Sequence, residues 1–175
     1  TINAILGSDY PKERLEVIVI NDGSTDKTAK IVASLTKKDK RIILINKRNT
    51  GKAHSLNIGL KMAKGELVVV VDADSYPNKN AIKKMVAYFD DKKTAAVTSS
   101  ILVKNNNIFF GKLQALEYSM VAWTRKLLDY VDGVYVTPGP LSMYRKSTLK
   151  RVGGFDAKNM TEDIEATWHL IHDGY

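Results

Sequence analysis

Short apolar, β-branched runs alternate with amphipathic stretches along the first hundred residues. Four runs have the length and composition of buried strands: residues 15–20, 41–45, 66–71 and 95–99. Three stretches between them have helical spacing: one from the turn at 22–26 to about 38, residues 51–64, and one from Asn78 to about 88. This order predicts an α/β fold with a mainly parallel central sheet and helices on both faces.

The second half begins with a long amphipathic pattern between residues 111 and 131. Its apolar positions recur every three or four residues: Leu113, Leu116, Met120, Trp123, Leu127 and Val131. We interpret this stretch as a helix whose apolar face packs on the core. The alternative is a face against a membrane or an acceptor, which Tyr118, Trp123 and Tyr130 would suit. A strand at 141–145 and a short helix at 147–152 are expected to follow.

Composition limits the class of protein. The 175 residues are 44% hydrophobic and 26% charged, which is typical of one soluble globular domain. The absence of cysteine excludes disulfides and thiolate metal sites. We expect neither a membrane span nor a signal peptide in these residues, and we expect a single domain, residues 1–175, that is truncated at both ends.

The net charge of +8 comes largely from lysines on expected helix faces and turns. We interpret this charge as that of an ordinary solvated surface, and attraction to anionic lipid or to phosphate-bearing ligands is the alternative. Nucleic acid is not expected as a partner, because the basic residues do not alternate with aromatic residues as a stacking groove requires.

Two carboxylates follow the valine-rich strand at 66–71. Asp72 and Asp74 are separated by one alanine, so a bend after Val71 would turn both toward one place, where paired carboxylates suit Mg²⁺ or Mn²⁺. Such an ion would bridge to phosphate oxygens. Alternatively, Asp72 only ends the strand and Asp74 caps the next turn.

Two further acidic segments are candidates for the same crevice. Asp22 follows the first strand as Asp72 follows its own, and the carboxyl ends of parallel strands share one edge of a sheet. Asp22 would also serve as a helix cap. Glu162 and Asp163 open the last helix, where a cap by Thr161 and a favourable helix dipole are the structural explanation.

Four ordered motifs now carry a resemblance: V-I-V-I-N-D-G-S-T-D, N-T-G-K-A-H-S-L-N-I-G-L, V-V-D-A-D-S and T-E-D-I-E-A-T-W. Together they resemble the family 2 glycosyltransferases, inverting enzymes with the GT-A fold. The last motif and the preceding G-P-L-S-M-Y-R-K-S-T-L-K-R-V-G-G-F-D are most similar to processive membrane synthases of poly-N-acetylglucosamine, chitin, hyaluronan and cellulose, the first type above all.

The resemblance implies a division of labour along the chain. Residues 1–100 would bind a UDP-sugar and residues 101–175 a saccharide acceptor, with β-linked transfer of N-acetylglucosamine in polysaccharide synthesis. Segments outside this chain would place the full-length protein at the cytoplasmic face of a membrane, and this fragment alone would be soluble.

The resemblance also implies roles for individual residues. The expected donor contacts are Asp22 at the nucleoside, Lys52 at uracil or diphosphate, and Asp72 at the ribose or the metal site. Asp74 would ligate Mg²⁺ or Mn²⁺, and Asp163 would be the general base. The expected acceptor side comprises Gly139, Pro140, Leu141 and Glu162.

Other nucleotide-binding and hydrolase patterns do not match. A P-loop would need glycine at Asn46 and a hydroxyl at Ala53, and no G-x-G-x-x-G follows the first strand. His169 and His172 are a weak candidate zinc pair. The alternative from another class is a GT-A-like module that binds a nucleotide sugar or a protein without turnover.

Overall fold

The computed structural model describes residues 1–104, 107–131, 133–138, 140–159 and 161–175. Its strands are β1 (Val17–Asp22), β2 (Ile42–Lys47), β3 (Leu67–Val71), β4 (Ala96–Thr98) and β5 (Leu141–Arg145). Its helices are α1 (Ile2–Leu6), α2 (Thr28–Thr36), α3 (Lys52–Met62), α4 (Ala81–Val86), α5 (Phe109–Asp129), α6 (Lys146–Arg151) and α7 (Glu162–His172). The predicted order of elements is confirmed, with boundaries moved by a few residues.

The strands form one parallel pair and one antiparallel group. β1 and β2 are parallel, and their register runs from Val17 opposite Ile42 to Asp22 opposite Lys47. β5 lies between β3 and β4 and is antiparallel to both. The α/β fold is therefore confirmed, whereas the strand directions around β5 differ from a mainly parallel sheet. A helical crossover between two parallel strands brings the chain back to the same end of the sheet. The long segment between β4 and β5, which contains α5, instead brings the chain to the opposite end, so β5 runs antiparallel to its neighbours.

Apolar side chains cover both faces of the three-stranded sheet, as the sequence predicted. On one face Val70 and Tyr144 pack in a cluster with Leu149, Phe155 and Leu170, from α6, α7 and the segment between them. On the other face, Leu141 and Met143 pack with a group from α4 and the 3₁₀ turn after it: Ile82, Met85 and Phe89. The two-residue period of β3 and β5 supplies both clusters, because successive side chains point to opposite faces.

Asn57 on α3 fixes the segment that leads toward α7. Its side chain accepts a hydrogen bond from the Phe155 amide at 2.9 Å and donates to the Phe155 carbonyl at 2.6 Å. Gly154 has φ +79°, and a Cβ there would lie 2.5 Å from Asn57 Oδ1. Both the backbone conformation and the close approach therefore require glycine at this position.

Helix α5 turns its apolar stripe outward, so the interpretation of a core-facing helix is wrong. Leu116, Met120 and Trp123 are each more than 60% exposed, and Phe109 is 71% exposed. Gly111 is the one buried residue of α5. The apolar period predicted the helix correctly, but period alone does not say which side of an amphipathic helix meets the rest of the protein.

None of the helices in the described ranges is long and apolar enough to cross a bilayer.

Candidate active site

Asp22 and Lys47 close the ends of neighbouring parallel strands and form an ion pair. The Asp22 carboxylate also accepts hydrogen bonds from the amides of Thr50 and Gly51, each at 2.9 Å. The hydrogen bond from Lys47 and these two amides hold the pKa of Asp22 below its ordinary value, against the opposing effect of partial burial. Asp22 is therefore a carboxylate that fixes the turn before α3.

The helix cap predicted at Asp22 is found at Asp26, further along the same loop. Asp22 does not bind the start of α2; Asp26 does, accepting from the Thr28 amide at 2.9 Å. Between them Gly23 has φ +74°, and a Cβ at this glycine would lie 2.8 Å from the Asn49 amide nitrogen. The loops after β1 and β2 therefore touch backbone to backbone at a place that only glycine permits.

Lys52 joins two motifs that are far apart in the sequence. Its Nζ lies 3.3 Å from Asp72 Oδ1 and 2.9 Å from Glu162 Oε1. Burial alone would lower the pKa of Lys52, but the hydrogen bond to Glu162 and the charge of Asp72 outweigh it and raise this pKa above its ordinary value. The structure thus places three of the predicted site residues in one cluster of charges.

The chain bends after β3, which is the condition that the interpretation as a metal site requires. The Ser75 amide donates to the Asp72 carbonyl at 3.0 Å, which closes a turn that includes Asp74. Asp72 is half-buried and Asp74 is exposed. The two carboxylates lie beside the end of a strand, in the position where open α/β sheets bind ligands.

The carboxylates at this turn suit a hard divalent cation whose remaining ligands are phosphate oxygens and water. The described ranges contain no group of three or more acidic or histidine side chains arranged to hold a metal ion. Mg²⁺ typically uses one or two carboxylates together with phosphate oxygens and water, and does not need a cage of protein ligands. Asp72 and Asp74 supply two carboxylates at one turn, and their chemistry agrees with such a site.

Glu162 and Asp163 occupy the first turn of α7. Glu162 is only 7% exposed, and the Asp163 side chain accepts a hydrogen bond from the Ile164 amide at 2.9 Å. The Thr161 hydroxyl makes no capping hydrogen bond to α7. The structural explanation of this motif as a threonine-capped helix start is therefore incomplete, because the capping side chain is not used.

A buried chain of hydroxyl groups supports this turn. Thr167 Oγ1 donates to the Asp163 carbonyl at 2.7 Å and lies 2.7 Å from Thr137 Oγ1, which lies 2.9 Å from the Tyr144 hydroxyl. Burial raises the pKa of Tyr144 to about 12. The network connects β5 to the backbone of Asp163, so it fixes the backbone of the residue that the resemblance implies as a base.

The predicted acceptor segment adjoins the end of β3. Leu141 pairs with Val71, the residue before Asp72, and its side chain is buried in the cluster under α4. Only the backbone of Leu141 is therefore available to a ligand at this edge. Pro140 is partly exposed in the preceding turn, and Gly139 lies outside the described residues. Acceptor binding by this segment stays a prediction.

Sequence reasoning missed several residues that hold the site together: Lys47, Thr50, Thr137, Tyr144 and Thr167. A signal for Lys47 was present, because both apolar strands end in asparagine followed by a charged residue, Asn-Asp at 21–22 and Asn-Lys at 46–47. Parallel pairing in register places these two ends side by side, and the amide of Asn21 donates to Asn46 at 2.8 Å. The hydroxyl network had no comparable local signal.

Solved structures of similar fold define the class as GT-A glycosyltransferases. A mannosyltransferase from Pyrobaculum calidifontis, in complex with GDP-Man and Mn²⁺, is 27% identical with a TM-score of 0.76, covering 99% of this chain and 48% of the other. TarS 1-349 from S. aureus, in complex with UDP-GlcNAc, is 24% identical with a TM-score of 0.66, covering 97% and 48%. The second likeness supports the fold alone.

Residues 1–153 match the model of glycosyl transferase family 2, and the chain belongs to that family. Poly-beta-1,6-N-acetyl-D-glucosamine synthase from Staphylococcus aureus (strain COL) is 33% identical over the whole chain. The Staphylococcus epidermidis protein of the same name is 34% identical over 97% of the chain. The chain spans 42% and 41% of these two relatives, less than half of their length.

Proposed function

We propose that this chain is the catalytic domain of an inverting glycosyltransferase that moves N-acetylglucosamine from a UDP-sugar to a saccharide acceptor. The product would be a β-glycosidic bond in a growing polysaccharide. Support for the donor and the product comes from the poly-N-acetylglucosamine synthases, 33% identical over the whole chain. The resemblance to membrane synthases extends the proposal to a membrane-associated full-length protein with this domain at the cytoplasmic face.

The observation that carries the proposal is the contact of Lys52 with both Asp72 and Glu162. This contact brings the N-T-G-K, D-A-D and T-E-D segments together at one place. A donor and an acceptor must meet at a single place for transfer, and a positive charge beside carboxylates is suited to a diphosphate and its counter-ion. A domain that only packs against a partner would not need these three segments together.

The residues divide the chemistry between them. Asp22 and the turn that it fixes bind the nucleoside, and Lys52 binds the diphosphate. Asp72 and Asp74 would hold Mg²⁺ or Mn²⁺, and this ion would stabilise the negative charge of the leaving diphosphate. The mannosyltransferase of similar fold, bound to Mn²⁺, favours a divalent ion here.

Asp163 acts as the general base. It takes a proton from the acceptor hydroxyl while that oxygen bonds to the anomeric carbon and the carbon–oxygen bond to UDP breaks. The acceptor side consists of Gly139, Pro140, the backbone of Leu141 and Glu162. Attack opposite the leaving group inverts the anomeric centre, which gives the β-product from an α-linked donor.

Calorimetric titration of the chain with UDP, GDP and UDP-N-acetylglucosamine, with and without Mn²⁺, tests the donor site. We expect Mn²⁺-dependent binding of UDP and its sugar over GDP. Preference for GDP would overturn the uridine donor and favour a mannosyltransferase like the Pyrobaculum protein. Binding without any transfer by the full-length protein to an oligosaccharide acceptor would overturn catalysis and leave a nucleotide-sugar-binding module.

A further inference from the structure

The ammonium group of Lys52 pairs with two carboxylates, of which Asp72 lies at the predicted metal position. It lies 2.9 Å from Glu162 Oε1 and 3.3 Å from Asp72 Oδ1, while half of its own side chain remains exposed. Asp72 is one of the two carboxylates that fit a divalent cation. Lysine therefore already supplies positive charge where a metal ion would bind.

The position of Lys52 in the fold makes this contact more than an accidental surface pair. Lys52 is the first residue of α3, and the positive end of a helix disfavours a cation. Glu162 is almost completely buried at the start of α7, where a carboxylate needs a counter-charge. Each group compensates for an unfavourable feature of the other, so the bond between them is the stable anchor and Asp72 is the exchangeable partner.

We propose that Lys52 guards Asp72 in the donor-free state, so that a divalent cation binds the chain together with a nucleotide diphosphate and poorly without one. This inference rests on the proposed function. A divalent ion at Asp72 would stand close to the ammonium group, and their repulsion opposes binding. A diphosphate supplies negative charge to both cations, so Lys52 can turn from Asp72 to the phosphates while Glu162 retains it.

Titration of Mn²⁺ in the absence of nucleotide tests the guard directly. Electron paramagnetic resonance measures the concentration of unbound Mn²⁺, which gives its affinity for each protein. The proteins compared are the wild-type chain and the variants Lys52→Met, Lys52→Arg and Lys83→Met. The last variant is a matched control, because Lys83 pairs with Asp9 on an exposed surface instead of with the site carboxylates. Circular dichroism verifies that every variant is folded.

We expect Lys52→Met to bind Mn²⁺ about tenfold more tightly than the wild type, since removal of one nearby positive charge strengthens a divalent ion's attraction to the carboxylates. Lys52→Arg and Lys83→Met should resemble the wild type. Equal affinity of Lys52→Met and the wild type, including no binding by either, would overturn the guard.

A second titration with UDP present separates this inference from the proposed function. In the wild type, UDP should strengthen Mn²⁺ binding, and in Lys52→Met that coupling should shrink. If UDP couples to Mn²⁺ equally in both proteins, the guard is wrong and the donor site stands. If Lys52→Met tightens Mn²⁺ but UDP has no effect in the wild type, Lys52 shields a cation site and the uridine donor is wrong.

Discussion

Lys47 donates a hydrogen bond to Asp22 across two strand ends that are paired in register. The pair of Lys52 and Glu162 is similar, because there too a lysine binds a carboxylate from a distant part of the chain. The Asp22 oxygens are also occupied by the Thr50 and Gly51 amides. Asp22 therefore fixes the loop that leads into α3. At the site proposed for the nucleoside, this loop is already ordered.

Replacement of Lys47 by methionine should raise the pKa of Asp22, because the Lys47 hydrogen bond is the largest effect that lowers it. A group with a depressed folded pKa stabilises the fold above its unfolded pKa and loses that effect as pH falls. The variant should therefore lose less stability on acidification than the wild type. Carboxyl resonances in an NMR pH titration measure the shift. Lys83→Met is the control, and an unchanged Asp22 midpoint in Lys47→Met would contradict the prediction.

Asp163→Asn should reduce sugar transfer by the full-length protein by about 10²-fold or more, since a general base contributes about that factor. UDP-sugar affinity should stay within about twofold, because the base acts on the acceptor hydroxyl and not on the nucleotide. Glu165→Gln, two residues along the same helix, is the matched control. Retention of most of the turnover by Asp163→Asn would remove Asp163 from the base role.

Asp74→Ala should abolish the Mn²⁺-dependent part of UDP binding and leave the metal-independent part. Asp74 is exposed in the turn after β3, so its loss should not disturb the fold. Asp9→Ala removes an exposed carboxylate from a surface ion pair and serves as the control. Calorimetry with and without Mn²⁺ decides the matter: equal metal dependence in the variant and the wild type would exclude Asp74 as a ligand.

Tyr144 should make the protein less stable as pH rises through the range from about 10 to about 12. Its folded pKa is about 12, so between these values the unfolded chain loses a proton that the folded chain keeps. The free energy of unfolding should fall by about 2 to 3 kcal/mol across this range. Urea unfolding across this range measures it, and Tyr144→Phe should remove most of this component. Tyr88→Phe, at an exposed site, should leave the profile unchanged; identical profiles for both variants would contradict the assignment.

The elements of this fold were readable from the sequence, and the contacts between its halves were not. Valine and isoleucine runs specified β1 to β3, and the strand ends located Asp22 and Asp72. The contact of Lys52 with Glu162 depends on how α7 packs against α3, which local pattern does not encode. The antiparallel insertion of β5 was missed for the same reason, because strand direction is a property of the whole connection.

The outward face of α5 gives a direct test of a case in which sequence reasoning failed. Leu116 is 61% exposed, whereas Leu149 in the core is completely buried. Leu116→Gln should therefore change the free energy of unfolding by less than about 0.5 kcal/mol. Leu149→Ala should cost about 2 to 5 kcal/mol, because it removes buried methyl groups and leaves a cavity. Chemical denaturation of both variants provides the comparison. A cost of 2 kcal/mol or more for Leu116→Gln would mean that α5 packs with its apolar stripe inward, as its periodicity first suggested.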